Sequence, residues 1–177
     1  MKTSAILKTL LIAFVLTSFA AGAAADEGDT ILTIAPSYGL SSADHMQVGG
    51  GGSLHLSYGV NDRFMVRATG FYDAQFIDVP GAEGWTSFAG ALVGAGVNME
   101  VGEGQVIPYV FGDMGVAMIE GAKPPLALDL SGEVGFDWLI SSTLSAGLAA
   151  RASVFIGDLP FEDAWLMNAV FRLSFTL

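Results

Sequence analysis

Residues 164–177 read AWLMNAVFRLSFTL, and alternate residues of this stretch form two different faces. One face is entirely apolar and consists of Trp165, Met167, Ala169, Phe171, Leu173, Phe175 and Leu177. The residues between them are of mixed polarity and include Arg172. Since successive side chains of a β-strand point to opposite sides, the pattern predicts a strand with one apolar face and one face that accommodates a cation.

The same alternation recurs along the rest of the chain. It is regular in the stretches that begin at Phe64, Trp85, Leu126 and Leu144, where charged residues fall on the face opposite to the apolar one. It is less regular in residues 30–38, 46–58 and 106–119. There, Pro36 predicts an irregular strand end, and the glycines at 49–52 predict a bulge or a bend. Together these stretches predict about eight strands.

The composition indicates that the apolar faces do not meet water. The chain has 177 residues, of which 52% are hydrophobic and only 14% are charged, against roughly 25% charged in ordinary globular domains. Beyond the N-terminal region, no run of about 18 apolar residues could form a membrane-spanning helix. The remaining way to cross a bilayer is a closed barrel of alternating strands. The predicted fold is therefore all-β: a closed, antiparallel, up-and-down transmembrane β-barrel.

The N-terminal residues have the pattern of a secretory signal peptide. Lys2 and Lys8 flank the start, an apolar run follows, and small residues end at Ala23-Ala24-Ala25. This predicts a cleaved signal at 1–25 and a barrel at 26–177, with a membrane anchor helix as the alternative for the first segment. Without the two lysines, five basic and 18 acidic residues remain, a net charge of about −13. Nucleic acid is therefore not expected as a partner, because binding it requires a basic surface.

The connections between strands fall into two groups. Short turns are expected at 59–62, 102–105 and 141–143, whereas the segments at 39–45, 79–84, 120–125 and 157–163 are longer and richer in glycine, proline and acids. Tight turns on one rim and longer loops on the other are typical of outer-membrane barrels. With an even number of strands, both termini are predicted on the short-turn, periplasmic rim.

A signal peptide, about eight alternating strands and the outward series that ends the chain resemble the small outer-membrane barrels of the OmpA/OmpX type. The resemblance covers the whole mature chain but lies in pattern rather than in a specific motif. It implies an outer-membrane location, with lipid and lipopolysaccharide around the barrel. It also implies that the last strand carries a recognition signal for the barrel assembly machinery, formed here by Phe171, Leu173, Phe175 and Leu177.

The inward faces predict a polar interior. An eight-stranded barrel is just wide enough for side chains to fill it, and charges buried there must be paired. We expect a salt-bridge network centred on Arg151 and Glu133, with the full set Arg67, Arg151, Arg172, Glu100, Asp113, Glu133 and Asp137. The network is interpreted as a packed plug of paired charges. The alternative is a path for protons or ions.

The sequence predicts a non-enzymatic barrel with a structural or surface-interaction role, without cofactor or metal. The alternative is a lipid A-modifying enzyme, because His55 and Ser57 resemble part of the His-Ser-Glu site of deacylases of the PagL type. The predicted register, however, points both residues inward. A less favoured alternative is a soluble periplasmic barrel of the lipocalin kind, with the apolar face inside and the arginines outside.

Overall fold

The computed structural model describes residues 27–41, 46–77, 84–99, 105–120, 126–157 and 165–177. The strands in these residues are β1 (Thr30–Ser41), β2 (Met46–Gly59), β3 (Phe64–Ile77), β4 (Gly84–Asn98), β5 (Val106–Ile119), β6 (Leu126–Leu139), β7 (Leu144–Ile156) and β8 (Trp165–Thr176). Each strand pairs antiparallel with its neighbours along the chain, and β8 closes on β1. The closed eight-stranded antiparallel barrel predicted from the alternation is therefore confirmed.

The strands tilt steeply against the barrel axis. Directly paired residues can be followed once around the barrel, from Ile31 on β1 through β2 to β8. The path returns to β1 at Ser41 rather than at Ile31. Such a stagger accompanies the strand tilt that closes a small barrel and leaves an interior that side chains can fill.

The chain termini define the two ends of the barrel. We call the end where β1 begins and β8 ends the terminal rim, and the opposite end the loop rim. A tight turn on the terminal rim joins β2 to β3, where the Asn61 side chain accepts hydrogen bonds from the backbone N–H groups of Arg63 and Phe64, at 2.9 and 3.0 Å.

Residues 1–25 lie outside the described residues, so the signal peptide stays a prediction.

The barrel reverses the polarity of a water-soluble protein. Its outer wall exposes large apolar side chains, for example Trp85 and Phe171, which are 65% and 66% exposed. Its lumen, the interior enclosed by the strands, holds buried charged residues, among them the side chains of Arg67, Arg151 and Arg172. The lipocalin-like alternative requires the opposite arrangement and is wrong. Within the described ranges no helix is long and apolar enough to span a membrane.

The two irregular regions have local causes. Pro36 has no N–H to donate, and the pairing of β1 with β8 is interrupted between Ile34 and Ser37. The pairing of β2 with β3 shifts between Met46 and Gly49 but is continuous from Gly49 to Gly59. The glycines at 49–52 therefore lie within a paired strand, just after its one irregularity.

Candidate functional site: the charged lumen

Glu133 on β6 is the centre of an ion-pair network in the lumen. Its Oε1 accepts hydrogen bonds from Nη1 of Arg172 at 2.6 Å and from Nη1 of Arg67 at 3.2 Å. Its Oε2 accepts a third hydrogen bond, from Nη2 of Arg67 at 3.3 Å. One buried carboxylate thus bridges guanidinium groups from β3 and β8, two strands that are not neighbours in the barrel.

Arg67 has a second carboxylate partner. Its Nε and Nη2 donate to the two oxygens of Asp113 at 2.8 and 2.5 Å, a bidentate geometry that only arginine can provide. The guanidinium carbon also lies 4.1 Å from the centre of the Phe111 ring. Every nitrogen of this cation therefore has an acceptor, and an aromatic face covers it.

Arg172 repeats this arrangement nearer the terminal rim. Its Nε and Nη2 donate to the two oxygens of Asp137 at 3.1 and 3.3 Å, and its guanidinium carbon lies 4.3 Å from the centre of the Tyr109 ring. A cavity of about 280 Å³ opens beside this pair, and Tyr109, Asp137 and Arg172 contribute to its lining. This part of the network therefore borders a space that reaches the terminal rim.

The expected pair of Arg151 with Glu133 does not form. The two residues are directly opposite each other on β7 and β6, yet the described residues show no ion pair of Arg151. Its Nη2 donates to the Ser131 hydroxyl at 3.4 Å, and its guanidinium carbon lies 5.2 Å from the centre of the Phe71 ring. The physical reason is that Arg67 and Arg172 surround Glu133 with three hydrogen bonds, while the Arg151 guanidinium is directed to the Phe71 ring and Ser131.

The predicted set is thus divided. The structure brings together Arg67, Arg172, Asp113, Glu133 and Asp137. Arg151 lies on the loop-rim side of this group, and Glu100 lies outside the described residues. The centre of the network is the bridge Arg67–Glu133–Arg172 rather than an Arg151–Glu133 pair.

The lumen also contains glycines that make room for its large side chains, which the sequence alone did not indicate. A Cβ at each of these glycines would approach the side chain directly opposite on the neighbouring strand within 3 Å. The pairs are Phe71–Gly90, Asp73–Gly51, Gln75–Gly49, Leu92–Gly115, Tyr109–Gly135, Phe111–Gly96, Asp113–Gly94, Asp137–Gly147 and Asn168–Gly39. Finding them requires the strand register, because only the register shows which glycine faces which side chain.

Apolar clusters lie on both sides of the polar groups. Near the loop rim, a buried cluster includes Phe88, Ile119, Phe155 and Leu166, and the rings of Phe88 and Phe155 stack with centres 5.1 Å apart. Near the terminal rim, Met65 packs with the two aromatic residues that cover Arg67 and Arg172. The lumen is therefore filled by side chains along much of its length.

His55 and Ser57, the candidates for a deacylase site, both face the lumen. His55 is 1% exposed, and its Nε2 and Nδ1 are hydrogen-bonded to the hydroxyls of Ser53 and Thr69, at 2.8 and 2.9 Å. No ion pair joins the ring to a carboxylate in the described part of the chain. A groove of about 520 Å³ lies on the apolar outer wall over this region, and His55 contributes to its lining, but both ring nitrogens are engaged by Ser53 and Thr69.

The described residues contain no group of three or more His, Cys, Asp or Glu side chains that could hold a metal ion.

The residues of the predicted assembly signal lie on the outer wall of β8 and at its end. Phe171, Leu173 and Leu177 are exposed, and Phe175 is half-buried. Their position agrees with the predicted strand face, whereas their role in assembly stays a prediction.

Solved structures of small outer-membrane proteins have the same architecture. Neisserial surface protein A matches with a TM-score of 0.63 over 85% of this chain and 100% of its own, at 13% identity. OprG from Pseudomonas aeruginosa matches with a TM-score of 0.58 over 86% and 97%, at 12% identity. The chain has the fold of a small outer-membrane barrel.

The outer-membrane enzyme PagL also matches, with a TM-score of 0.53 over 79% of this chain and 97% of its own, at 14% identity. At these identities the likeness establishes the fold alone. No model of a protein family matches the chain, and no curated protein sequence matches it either. Arguments about function therefore depend on the residues of the wall and the lumen.

Proposed function

We propose that this chain is an integral outer-membrane barrel of a Gram-negative-type envelope, with a non-enzymatic structural or surface-interaction role. The observation that carries the proposal is the reversed polarity of the barrel. An exposed apolar wall is costly in water and stable in hydrocarbon, whereas the lumen provides partners for charges that lipid could not solvate.

The dimensions support a membrane-spanning barrel. The strands contain 12 to 15 residues, and a tilted strand needs roughly 9–11 residues to cross the hydrocarbon core. Each strand therefore has length left over for the two interfaces. The similar solved structures, which are outer-membrane or surface proteins by name, support the choice of membrane.

Fractionation with a gel-mobility assay tests this proposal. Cells that express the full chain are separated into soluble, inner-membrane and outer-membrane fractions, and each fraction is run on SDS gels with and without boiling. We expect the protein in the outer-membrane fraction, with a mobility that changes on boiling because a closed barrel resists SDS in the cold. Recovery in the soluble fraction without detergent would contradict the proposal.

The non-enzymatic role is supported by the lumen-facing position of His55 and Ser57. An enzyme that acts on lipid needs its nucleophile and base at the lipid or at a rim, whereas both hydrogen bonds of the His55 ring go to other lumen residues. Mass spectra of lipid A from cells with and without the protein should be identical. A loss of an acyl chain that depends on His55 would instead establish the deacylase alternative.

The surrounding partners in this proposal are outer-membrane lipid, lipopolysaccharide and, during insertion, the barrel assembly machinery. The test of the assembly signal is Phe171→Ala, with Phe64→Ala as the matched control, because both phenylalanines are exposed on the outer wall. We expect Phe171→Ala to reduce the amount of assembled barrel in cells while refolding normally in detergent. Equal losses for the two variants in cells would contradict a signal in β8.

A further inference from the structure

The loop-rim half of the lumen contains buried polar atoms without hydrogen-bond partners. They are both carboxylate oxygens of Asp129, both amide atoms of Gln75, Oδ1 of Asn168 and Nε of Arg151. Asp129 and Gln75 are 0% exposed, and the other two residues are at least nine-tenths buried. Polar atoms in such positions normally have partners, because an unpaired buried group costs about 1–3 kcal/mol.

These side chains belong to one group, together with Asp73. Oδ1 of Asp73 accepts hydrogen bonds from the Ser37 hydroxyl at 2.9 Å and from Nδ2 of Asn168 at 3.2 Å. The amide groups of Asn168 and Gln75 lie side by side against Gly39. We call Asp73, Gln75, Asp129, Arg151 and Asn168 the outer-lumen cluster.

Asp129 belongs to this cluster through its position beside Arg151. The Arg151 guanidinium reaches the Ser131 hydroxyl, two residues from Asp129 on the lumen face of β6. It also lies over the Phe71 ring, two residues from Asp73 on the lumen face of β3. The carboxylate of Asp129 is buried in the lumen, and neither of its oxygens accepts a hydrogen bond from a described residue.

The outer-lumen cluster contains more negatively charged groups than positively charged ones, and more unpartnered hydrogen-bond acceptors than unpartnered donors. In their charged forms, the two buried carboxylates and the one guanidinium leave one negative charge without a counter-charge in the cluster. Four of the unpartnered atoms are acceptor oxygens and only two are donors, the amide nitrogen of Gln75 and Nε of Arg151. A ligand that satisfies this cluster must bring positive charge or hydrogen-bond donors, and carboxylate and amide oxygens are the ligands that hard cations prefer.

The network around Glu133 shows why the outer-lumen cluster is different. There, every oxygen of Asp113, Glu133 and Asp137 accepts from an arginine nitrogen, and the cavity at the terminal rim borders Asp137. The outer-lumen cluster lies between that network and the apolar residues near the loop rim, for example Phe88 and Phe155. Its charge must therefore be neutralised within the barrel.

We propose that the outer-lumen cluster binds one small monovalent cation, together with its water, between Asp129 and the carboxylate and amide oxygens of Asp73, Gln75 and Asn168. A monovalent ion matches the single unbalanced negative charge. The enclosed position means that the ion enters when the barrel folds and exchanges slowly afterwards. The ion stabilises the folded barrel because the unfolded chain has no such site.

The test uses the full mature chain, unfolded and then refolded in detergent in NaCl or in an equal concentration of N-methyl-D-glucamine chloride, whose cation is too large for the cluster. The measured quantity is the temperature at which half of the protein molecules have lost the gel mobility of the folded barrel. We expect a higher midpoint in NaCl, rising by about 3–6 °C for each tenfold increase of NaCl once the site is mostly occupied.

The variant Asp129→Asn keeps the shape of the side chain and should abolish the difference between the two salts. Gln75→Leu removes one acceptor oxygen and should reduce the difference, which provides a second variant if the first refolds poorly. Asp62→Asn in the exposed turn between β2 and β3 is the matched control and should retain the full difference.

Equal midpoints of the wild-type barrel in the two salts would overturn the proposal and show that water, a proton on Asp129 or a rearranged Arg151 satisfies the cluster. A difference that persists in Asp129→Asn would also overturn it, because the cation would then act elsewhere.

Discussion

The substitution Glu133→Ala tests the lumen network most directly. It removes the acceptor of three hydrogen bonds from Arg67 and Arg172, which have no other carboxylate in common. Breaking a buried ion pair by removing one partner costs about 3–5 kcal/mol. Each arginine retains a second carboxylate, Asp113 or Asp137, so we expect a loss within this range rather than twice the range.

The measurement is urea unfolding of the refolded barrel in lipid vesicles, followed by tryptophan fluorescence and gel mobility. The free energy of unfolding falls by about 1–3 kcal/mol for each molar of urea. The expected loss of stability therefore lowers the urea midpoint by at least about 1 M. Glu133→Gln should lose less, because the amide retains the shape and one acceptor oxygen.

Glu120→Ala is the matched control for this substitution. Its carboxylate is exposed and accepts a hydrogen bond from the Ser87 hydroxyl at 2.8 Å, so its removal should change stability by less than about 0.5 kcal/mol. A midpoint of Glu133→Ala within error of that control would refute the network as a source of stability.

Further predictions concern the lumen and the outer wall. Arg67→Met should lower the urea midpoint more than Arg151→Met, because among the described residues Arg67 has ion-pair partners and Arg151 has none. Gly94→Ala should reduce the yield of refolded barrel on gels, since its Cβ would overlap the Asp113 carboxylate, whereas Gly70→Ala has open space and should refold normally. Val93→Arg places a charge on the exposed apolar wall near the middle of β4 and should cost about 2–4 kcal/mol in vesicles, measured by the same unfolding assay.

Much of the fold was predictable because a strand has a period of two. The alternation in β3, β6, β7 and β8 separates apolar from charged residues. Whether a side chain points to the lipid or to the lumen therefore follows from its position in the sequence. The weaker alternation in β1 and β2 reflects Pro36 and the glycines at 49–52, and even there the strand boundaries came out within a few residues.

The candidate site was predictable only as a set of inward residues. Parity along a strand places Arg67, Arg151, Arg172 and Glu133 in the lumen, but it does not give their heights or side-chain directions. The strong stagger of the barrel brings residues of β3 and β8 to the same carboxylate on β6, and no local pattern contains that information.

The sequence by itself therefore determined the number of strands, the lipid-facing wall and the charged character of the interior, because these depend on alternation and composition alone. Only the tertiary structure decided which charges meet. Glu133 bridges Arg67 and Arg172, Arg151 instead contacts Ser131 and the Phe71 ring, and glycines on neighbouring strands leave room for the large side chains. The physical reason is that these contacts join residues distant in the chain, and their geometry is fixed by register, tilt and the narrow diameter of a closed barrel.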